Sequence, residues 1–136
     1  MADAKMVPLV ITDTFDATRS FYLDQLGATL VLQDGDNYLQ VRFGTGEDRP
    51  ELAFCPPLPA DSPIGAQPAF RQGLVVSIPV DDADAYRKEL VERDLDMPEP
   101  TDKPWRWRSF LLADPSGVTL DFYHVLPDDA AQDAAS

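Results

Sequence analysis

KPWRWRSFLLADPSGVTLDFYH, residues 103–124, predicts a β-hairpin, and the rest of the chain can be arranged around it. Its middle, Asp114–Gly117, suits a type I turn, because Asp accepts a backbone hydrogen bond, Pro presets φ and Gly tolerates a positive φ. After the turn, successive side chains alternate between two faces. An unpaired acid inside a packed core is costly, so we predict that the face with Asp121 borders a cavity. The apolar face has Val118, Leu120 and Phe122, and the other has Thr119, Asp121 and Tyr123.

The composition excludes several classes of function. The chain has 136 residues and a net charge of −13, with 11 basic against 24 acidic residues, and phosphate binding needs clustered Lys and Arg. We therefore predict no nucleic-acid partner. No stretch approaches the ~20 apolar residues that span a membrane. The acidity reflects solubility, a salty habitat, or the attraction of a cationic ligand.

The cysteine content and the N-terminus bear on the compartment. A single cysteine, Cys55, excludes an internal disulfide and is interpreted as a small core residue. The N-terminus lacks the basic start and apolar run of a signal peptide. We therefore expect a cytoplasmic protein.

Hydrophobic patterns predict the same order of elements, βαβββ, twice. In the first half, Asp13 or Asp16 is expected to cap the helix and Gly27 to end it, with Ala17 and Phe21 on successive turns. In the second half, Asp82 is expected to cap a helix that runs to about residue 93. The predicted strands are 7–12, 28–33, 38–43, 51–55, 74–80, 96–98, 106–113 and 118–124.

The two halves can be superimposed at an offset of 69 residues, which indicates an internal duplication. The matched pairs are Leu9 with Ile78, Ile11 with Val80, Asp13 with Asp82, Phe21 with Leu90, and Leu26 with Leu95. We predict an α+β fold in which residues 1–126 form a single domain of two modules, 7–56 and 74–124. A proline-rich linker, 57–73, joins them, and 127–136 is predicted to be a disordered acidic tail.

Four pieces of the sequence resemble the vicinal oxygen chelate superfamily, which groups glyoxalases, extradiol dioxygenases, fosfomycin-resistance enzymes and bleomycin-binding proteins. They are Val10–Asp13, Phe21–Gly27, Val80–Ala85, and Pro104-Trp105 with the hairpin that follows. The resemblance spans about residues 7–124, and it rests on the order and spacing of the four pieces together. It implies two βαβββ modules that form an open, cup-shaped mixed sheet. It also implies a homodimer, because members of the family commonly dimerise.

The resemblance implies where a metal would bind, and the residues there do not suit one. The ligands on the first strand of each module would fall at Val7 or Pro8 and at Val75 or Val76, which cannot coordinate. The acids would be Glu51 and Asp121, and two carboxylates without histidine make a poor site for Zn²⁺, Ni²⁺ or Fe²⁺. The only histidine, His124, has odd spacing from Asp121 and should face the opposite way. We therefore predict no metal and no cofactor.

The candidate ligand-binding residues lie on the two modules. Trp105 and Trp107 share a face if both are in strand, and they either fill the core or stack on a planar ligand. Bleomycin-binding members have a similar Pro-Trp motif, usually followed by Gly where this chain has Arg106. Arg108 either pairs with nearby acids or binds an acidic or carbonyl group of the ligand. The remaining candidates are Asp121 and Tyr123 on the hairpin, and Tyr38, Arg42 and Glu51, with Gln40, on the first module.

These features predict a metal-independent protein that sequesters an antibiotic or natural product, with a cationic, planar ligand and no catalytic residue. No Ser-His-Asp or Cys-His arrangement is credible with one histidine, and no glycine-rich phosphate loop is present. The alternative is a lyase, isomerase or dioxygenase that uses Asp121 or Glu51 as a base, or an atypical metal site. A third reading is a scaffold whose cup is filled by its own side chains.

Overall fold

A computed structural model describes residues 5–127 of the chain. It contains two compact units. The first comprises the chain up to Gly73 together with the turn Asp114–Val118, and the second comprises Leu74–Ala113 together with the chain from Thr119. Residues 128–136, most of the predicted disordered tail, lie outside the described residues. No helix within 5–127 is long and apolar enough to cross a membrane.

Each unit has one mixed four-stranded sheet and one helical segment. In the first, the strand order is β1-β4-β3-β2 and only β1 and β4 run parallel; in the second, the order is β5-β8-β7-β6 and only β5 and β8 run parallel. This confirms the α+β class and the repeated βαβββ order. The first unit contains β1 Leu9–Ile11, α1 Phe15–Ser20 with a π-helical turn Phe21–Gln25, β2 Thr29–Asp34, β3 Tyr38–Arg42 and β4 Glu51–Cys55. The second contains β5 Val75–Pro79, α2 Ala83–Glu92, β6 Thr101–Asp102, β7 Trp107–Ala113 and β8 Thr119–Val125.

Aromatic rings join helix and sheet in each core. In the first unit, Tyr22 is fully buried and its ring centre lies 4.9 Å from that of Phe54. In the second, the ring centre of Tyr86 on α2 lies 5.0 Å from that of Phe122, and Phe122 is paired in register with Phe110 across β7 and β8. The helix therefore covers one face of its sheet, and the polar residues of interest lie on the other.

The predicted offset of the duplication is wrong by one residue. Leu9 was matched with Ile78, yet Leu9 is 40% exposed whereas Ile78 is fully buried. Val10, which is 4% exposed, is the true counterpart of Ile78, and the helix cap Thr14 corresponds to Asp82. A shift of one residue along a strand exchanges its two faces. The predicted offset would therefore place the buried side chains of the first strand on its exposed face.

Two details near the helices also differ from the predictions. The cap residue of α1 is Thr14, not Asp13 or Asp16, and Thr12 Oγ1 accepts the Thr14 N–H at 3.0 Å. Ala17 is exposed. By contrast, Asp82 caps α2 as predicted, accepting from the N–H groups of Asp84 and Ala85 at 3.0 and 3.2 Å.

The second strand of the second module is β6, Thr101–Asp102, and not residues 96–98 as predicted. Pro98 and Pro100 have no N–H to donate to a neighbouring strand, so pairing begins only after them. Gly27 has φ +73° and ends the first helical segment as predicted.

The turn between β7 and β8 is organised by the buried carboxylate of Asp114. Its Oδ1 accepts from the Ser116 N–H at 2.8 Å, the Ser116 hydroxyl at 2.7 Å and the Val118 N–H at 3.0 Å, and its Oδ2 accepts from the Tyr22 hydroxyl. Gly117 has φ +103°, and a Cβ there would lie 2.2 Å from the carbonyl oxygen of Arg71. Glycine is therefore required both for the backbone conformation and for the close approach.

Candidate functional site

The polar face of the second unit is centred on Asp121, as the alternation along β8 predicted. Asp121 pairs in register with Ser77 of β5 and Leu111 of β7, so all three share a face. Its side chain is buried, with the residue 6% exposed. The Ser77 hydroxyl donates to Oδ2 at 3.3 Å, but Oδ1 has no hydrogen-bond partner within the described residues.

Ser109 is a second unpartnered polar group on this face, and sequence reasoning missed it. It precedes Leu111 by two residues on β7, is 1% exposed, and its hydroxyl has no partner among residues 5–127. Its register partner is Tyr123, two residues after Asp121. Serine carries no distinctive sequence signal, and only the pairing of β7 with β8 identifies its position.

Trp107 and Tyr123 form an aromatic surface beside these polar groups. Their rings stack with centres 3.6 Å apart and planes inclined by 12°. Trp107 is half-buried at the start of β7, two residues before Ser109 and therefore on the same face. We call Ser77, Trp107, Ser109, Asp121 and Tyr123 the Asp121 face.

Trp105 does not share a strand with Trp107. It lies in the loop before β7 and is 59% exposed. Between the two, Arg106 has φ +69°, a left-handed conformation that glycine adopts more readily than arginine. The alternation that would place both tryptophans on one face is broken at this residue.

Arg108 lies on the opposite face of β7 from Trp107 and Ser109. Its Nε and Nη2 donate to the two carboxylate oxygens of Asp84 at 2.7 and 3.0 Å, and its Nη1 donates to Asp102 at 2.9 Å. The hydrogen bonds that Arg108 donates to Asp84 and then to Asp102 raise the pKa of Arg108 further above its usual value. These contacts favour the ion-pair alternative for Arg108 over ligand binding.

The positions at which the resemblance implies metal ligands do not fit a metal ion in this chain. On β5, the residue next to Asp121 is Ser77, and Val75 is an exposed apolar side chain. His124 faces away from Asp121, and its Nδ1 accepts the Ala83 N–H at 2.9 Å. Within residues 5–127, no three His, Cys, Asp or Glu side chains are grouped to hold a metal ion.

The polar face of the first unit is built around Glu51. Its Oε1 accepts from the Gln40 amide at 2.6 Å, and its Oε2 accepts from Arg42 Nε at 2.9 Å and Lys5 Nζ at 3.2 Å. The Tyr38 hydroxyl donates to Gln40 Oε1 at 2.7 Å. This Glu51 network comprises Lys5, Tyr38, Gln40, Arg42 and Glu51. Tyr38, Gln40 and Arg42 share one face of β3 as predicted, whereas Lys5 was missed because it lies far away in sequence.

Burial by itself would raise the pKa of Glu51, but the hydrogen bonds from Gln40, Arg42 and Lys5 outweigh it and lower that pKa below its ordinary value of 4.5. Burial first, and then Cys55 and Glu51, raise the pKa of Tyr38. Glu51 is therefore ionised and Tyr38 protonated at neutral pH, so the tyrosine can donate to Gln40.

Replacing Glu51 with Gln should remove part of the acid sensitivity of this protein. Because the folded-state pKa of Glu51 is lowered, its contribution to stability is complete above pH 4.5 and is lost as the pH falls through the folded-state value. Urea unfolding between pH 3 and 7 should therefore show a smaller fall in the free energy of unfolding for Glu51→Gln than for the wild type. An unchanged pH profile would contradict this account, and Glu99→Gln, at an exposed position, is the control.

An open depression of about 350 Å³ lies beside the Glu51 network. Of the seven lining residues, four belong to that network, two are valines and one is a further acid, Glu47. The lining residues are Lys5, Val7, Val31, Gln40, Arg42, Glu47 and Glu51.

Comparison with protein families identifies a family to which most of this chain is similar. The family described as the Glyoxalase/Bleomycin resistance protein/Dioxygenase superfamily matches residues 6–122, which is most of the chain. A comparison with curated protein sequences gave no significant match.

Solved structures share this fold at low sequence identity. Lactoylglutathione lyase from Agrobacterium tumefaciens is 21% identical, with a TM-score of 0.69 over 90% of this chain and 94% of that chain. An antibiotic-binding protein from Streptomyces sp. CB03234 is 24% identical, with a TM-score of 0.64 over 92% and 98%. A bleomycin-binding protein in complex with bleomycin is 18% identical, with a TM-score of 0.62 over 89% and 98%. These likenesses establish the fold, which an enzyme and binding proteins share.

Proposed function

Because the chain belongs to the Glyoxalase/Bleomycin resistance protein/Dioxygenase superfamily, we propose that it is a metal-independent binding protein that sequesters a small antibiotic or natural product. The observation that carries the proposal is the buried Oδ1 atom of Asp121, which has no hydrogen-bond partner in residues 5–127. The ligand proposed is planar and carries a cationic or N–H donor group.

The energetics of a buried carboxylate support this choice. A buried polar atom without a partner costs free energy, and the cost is greater for a charged group. A ligand that donates to Asp121 Oδ1 would offset that cost with a charge-assisted hydrogen bond. The Ser109 hydroxyl offers a second polar contact on the same face. Affinity at this face would thus come from groups that have no hydrogen-bond partner in the part of the chain that the structure describes.

The aromatic surface supports a planar ligand. The stacked rings of Trp107 and Tyr123 present a flat apolar area next to Asp121. Sequestration needs only contact area and complementary charge, both of which this face provides. The likeness to an antibiotic-binding protein and to a bleomycin-binding protein agrees with the proposal at the level of the fold.

Tryptophan fluorescence tests the proposal directly. The protein should be titrated with bleomycin and a panel of planar cationic antibiotics, with and without a chelator, and binding confirmed by thermal shift. We expect one compound to quench fluorescence saturably, with no effect of the chelator. Quenching should be retained in Trp105→Phe and largely lost in Trp107→Phe, which is the matched pair. A stabilisation that requires metal, or no saturable binder in the panel, would count against the proposal.

The alternative function is catalysis with Asp121 as a general base. Its Oδ1, which has no partner within the described residues, could accept a proton, and a lactoylglutathione lyase shares the fold. Glu51 is less suited, because both of its oxygens already accept hydrogen bonds and its pKa is lowered. Conversion of a bound compound to product, lost in Asp121→Asn, would favour this alternative over sequestration.

The remaining proposals concern assembly and location. We expect one domain made of both modules, a homodimer, and a cytoplasmic location without nucleic-acid partners. Leu30, Val31 and Leu32 support dimerisation, because all three are exposed on β2, an edge strand of its sheet. Light scattering should give twice the mass of one chain, and a monomeric mass would exclude the dimer.

A further inference from the structure

Arg42 of the Glu51 network has unused hydrogen-bonding capacity. Its Nε donates to Glu51 Oε2 at 2.9 Å, which holds the guanidinium in place. The terminal Nη1 and Nη2 groups have no hydrogen-bond partner within the described residues. The side chain is 21% exposed, and neither terminal nitrogen is among the buried atoms without a partner in the described residues, so both groups are accessible to a ligand. A guanidinium fixed in this way is pre-organised to bind a second oxyanion.

The other donors on the wall of the depression are already committed. Lys5 Nζ donates to the carbonyl oxygens of Glu47 and Arg49 and to Glu51, which uses its three N–H groups. Gln40 uses its oxygen for Tyr38 and its nitrogen for Glu51. Arg42 is therefore the side chain on this wall with the most donor capacity left.

The local charge also favours an anion. Lys5 and Arg42 share a single buried counter-charge, Glu51, so the network itself has an excess of one positive charge. Glu47, the other acid in the lining, is exposed, and solvent screens its charge. In a chain with a net charge of −13, this is an unusual place for an uncompensated cation.

We propose that the depression on the first unit binds a carboxylate group through the Nη1 and Nη2 atoms of Arg42. The two donors lie in one plane and match the two oxygens of a carboxylate. A phosphate group also has anionic oxygens that can accept from both atoms, so it is the alternative ligand group. Arg42 belongs to the first unit and the Asp121 face to the second, so the inference concerns a site of its own and goes beyond the function proposed above.

NMR of arginine side chains in the full ¹⁵N-labelled chain tests the inference. Sodium acetate is the probe, sodium chloride at equal ionic strength is the reference, and inorganic phosphate is a third arm. We expect acetate to shift the Arg42 Nε–Hε signal saturably, and more than chloride or phosphate does. A response to acetate no larger than to chloride would overturn the proposal, and a stronger response to phosphate would replace carboxylate with phosphate as the ligand group.

Variants separate a specific site from a general effect of charge. Arg42→Gln should reduce acetate affinity about tenfold or more, measured from the signal of the Gln40 side-chain amide. Arg42→Lys keeps the charge but not the two parallel donors, so its acetate affinity should lie between those of Arg42→Gln and the wild type. Arg71→Gln is the control, because Arg71 is an exposed arginine paired with Asp13. Equal responses in Arg42→Gln and Arg71→Gln would overturn the assignment to Arg42.

The two proposals can fail separately. Saturable antibiotic binding without an acetate response would keep the binding function and overturn the carboxylate site. An acetate response at Arg42 without any antibiotic binder would keep the site and count against the function proposed from the Asp121 face.

Discussion

Replacing Asp114 with Ala should lower the free energy of unfolding by about 3 kcal/mol or more, because several buried donors would lose their acceptor together. The carboxylate accepts from the Ser116 N–H and hydroxyl, the Val118 N–H and the Tyr22 hydroxyl. Tyr22 and Val118 are fully buried, so water cannot readily replace the lost partner. Urea denaturation of the variant and the wild type measures the difference.

Two further variants isolate the cause of this effect. Tyr22→Phe removes one of the four donors and should cost about 1–2 kcal/mol, less than Asp114→Ala. Asp36→Ala changes an exposed turn aspartate and should alter the free energy of unfolding by less than about 0.5 kcal/mol. A loss in Asp114→Ala no greater than in Asp36→Ala would show that the carboxylate does not organise the turn.

Replacing Asp121 with Asn should stabilise the free protein and weaken ligand binding. The substitution keeps the shape of the side chain but removes a charge whose Oδ1 is buried without a partner among residues 5–127. We therefore expect a gain of about 1 kcal/mol in the free energy of unfolding. Affinity for a cationic ligand should fall about 10- to 100-fold, the value of a charge-assisted hydrogen bond. Thermal denaturation and fluorescence titration measure the two effects on the same samples.

The opposite signs of these effects distinguish a binding residue from a structural one. A structural carboxylate would destabilise the protein when neutralised, and its loss would not select among ligands by charge. Asp96→Asn, at an exposed position, removes the same charge without altering the Asp121 face and is the control. Destabilisation by Asp121→Asn, with unchanged affinity, would assign Asp121 to the fold instead.

Local patterns determined much of the fold. The residues of β4 were predicted without error as 51–55, and the turn at Asp114 and the cap at Asp82 follow from side chains that bond to their own neighbouring backbone. The shared face of Tyr38 and Arg42 follows from the period of two in a strand. Each of these features depends on residues within a few positions of one another.

The one-residue error in the duplication has a local cause as well. Leu9, Val10 and Ile11 are consecutive apolar residues, so β1 offers no alternation by which to tell its faces apart. The buried face was decided by pairing with β4, where Val10 lies beside Phe54.

The sequence by itself determined the repeated βαβββ order, the acidic balance that argues against nucleic acid, and the position of Asp121 on a polar strand face. Only the tertiary structure decided which side chains lie next to one another on the polar sheet faces. The stacking of Trp107 on Tyr123, the position of Ser109 on the same face as Asp121, and the contact of Lys5 with Glu51 all join separate segments of the chain. Strand register and burial bring such groups together, and neither can be deduced from the spacing of residues along a single strand.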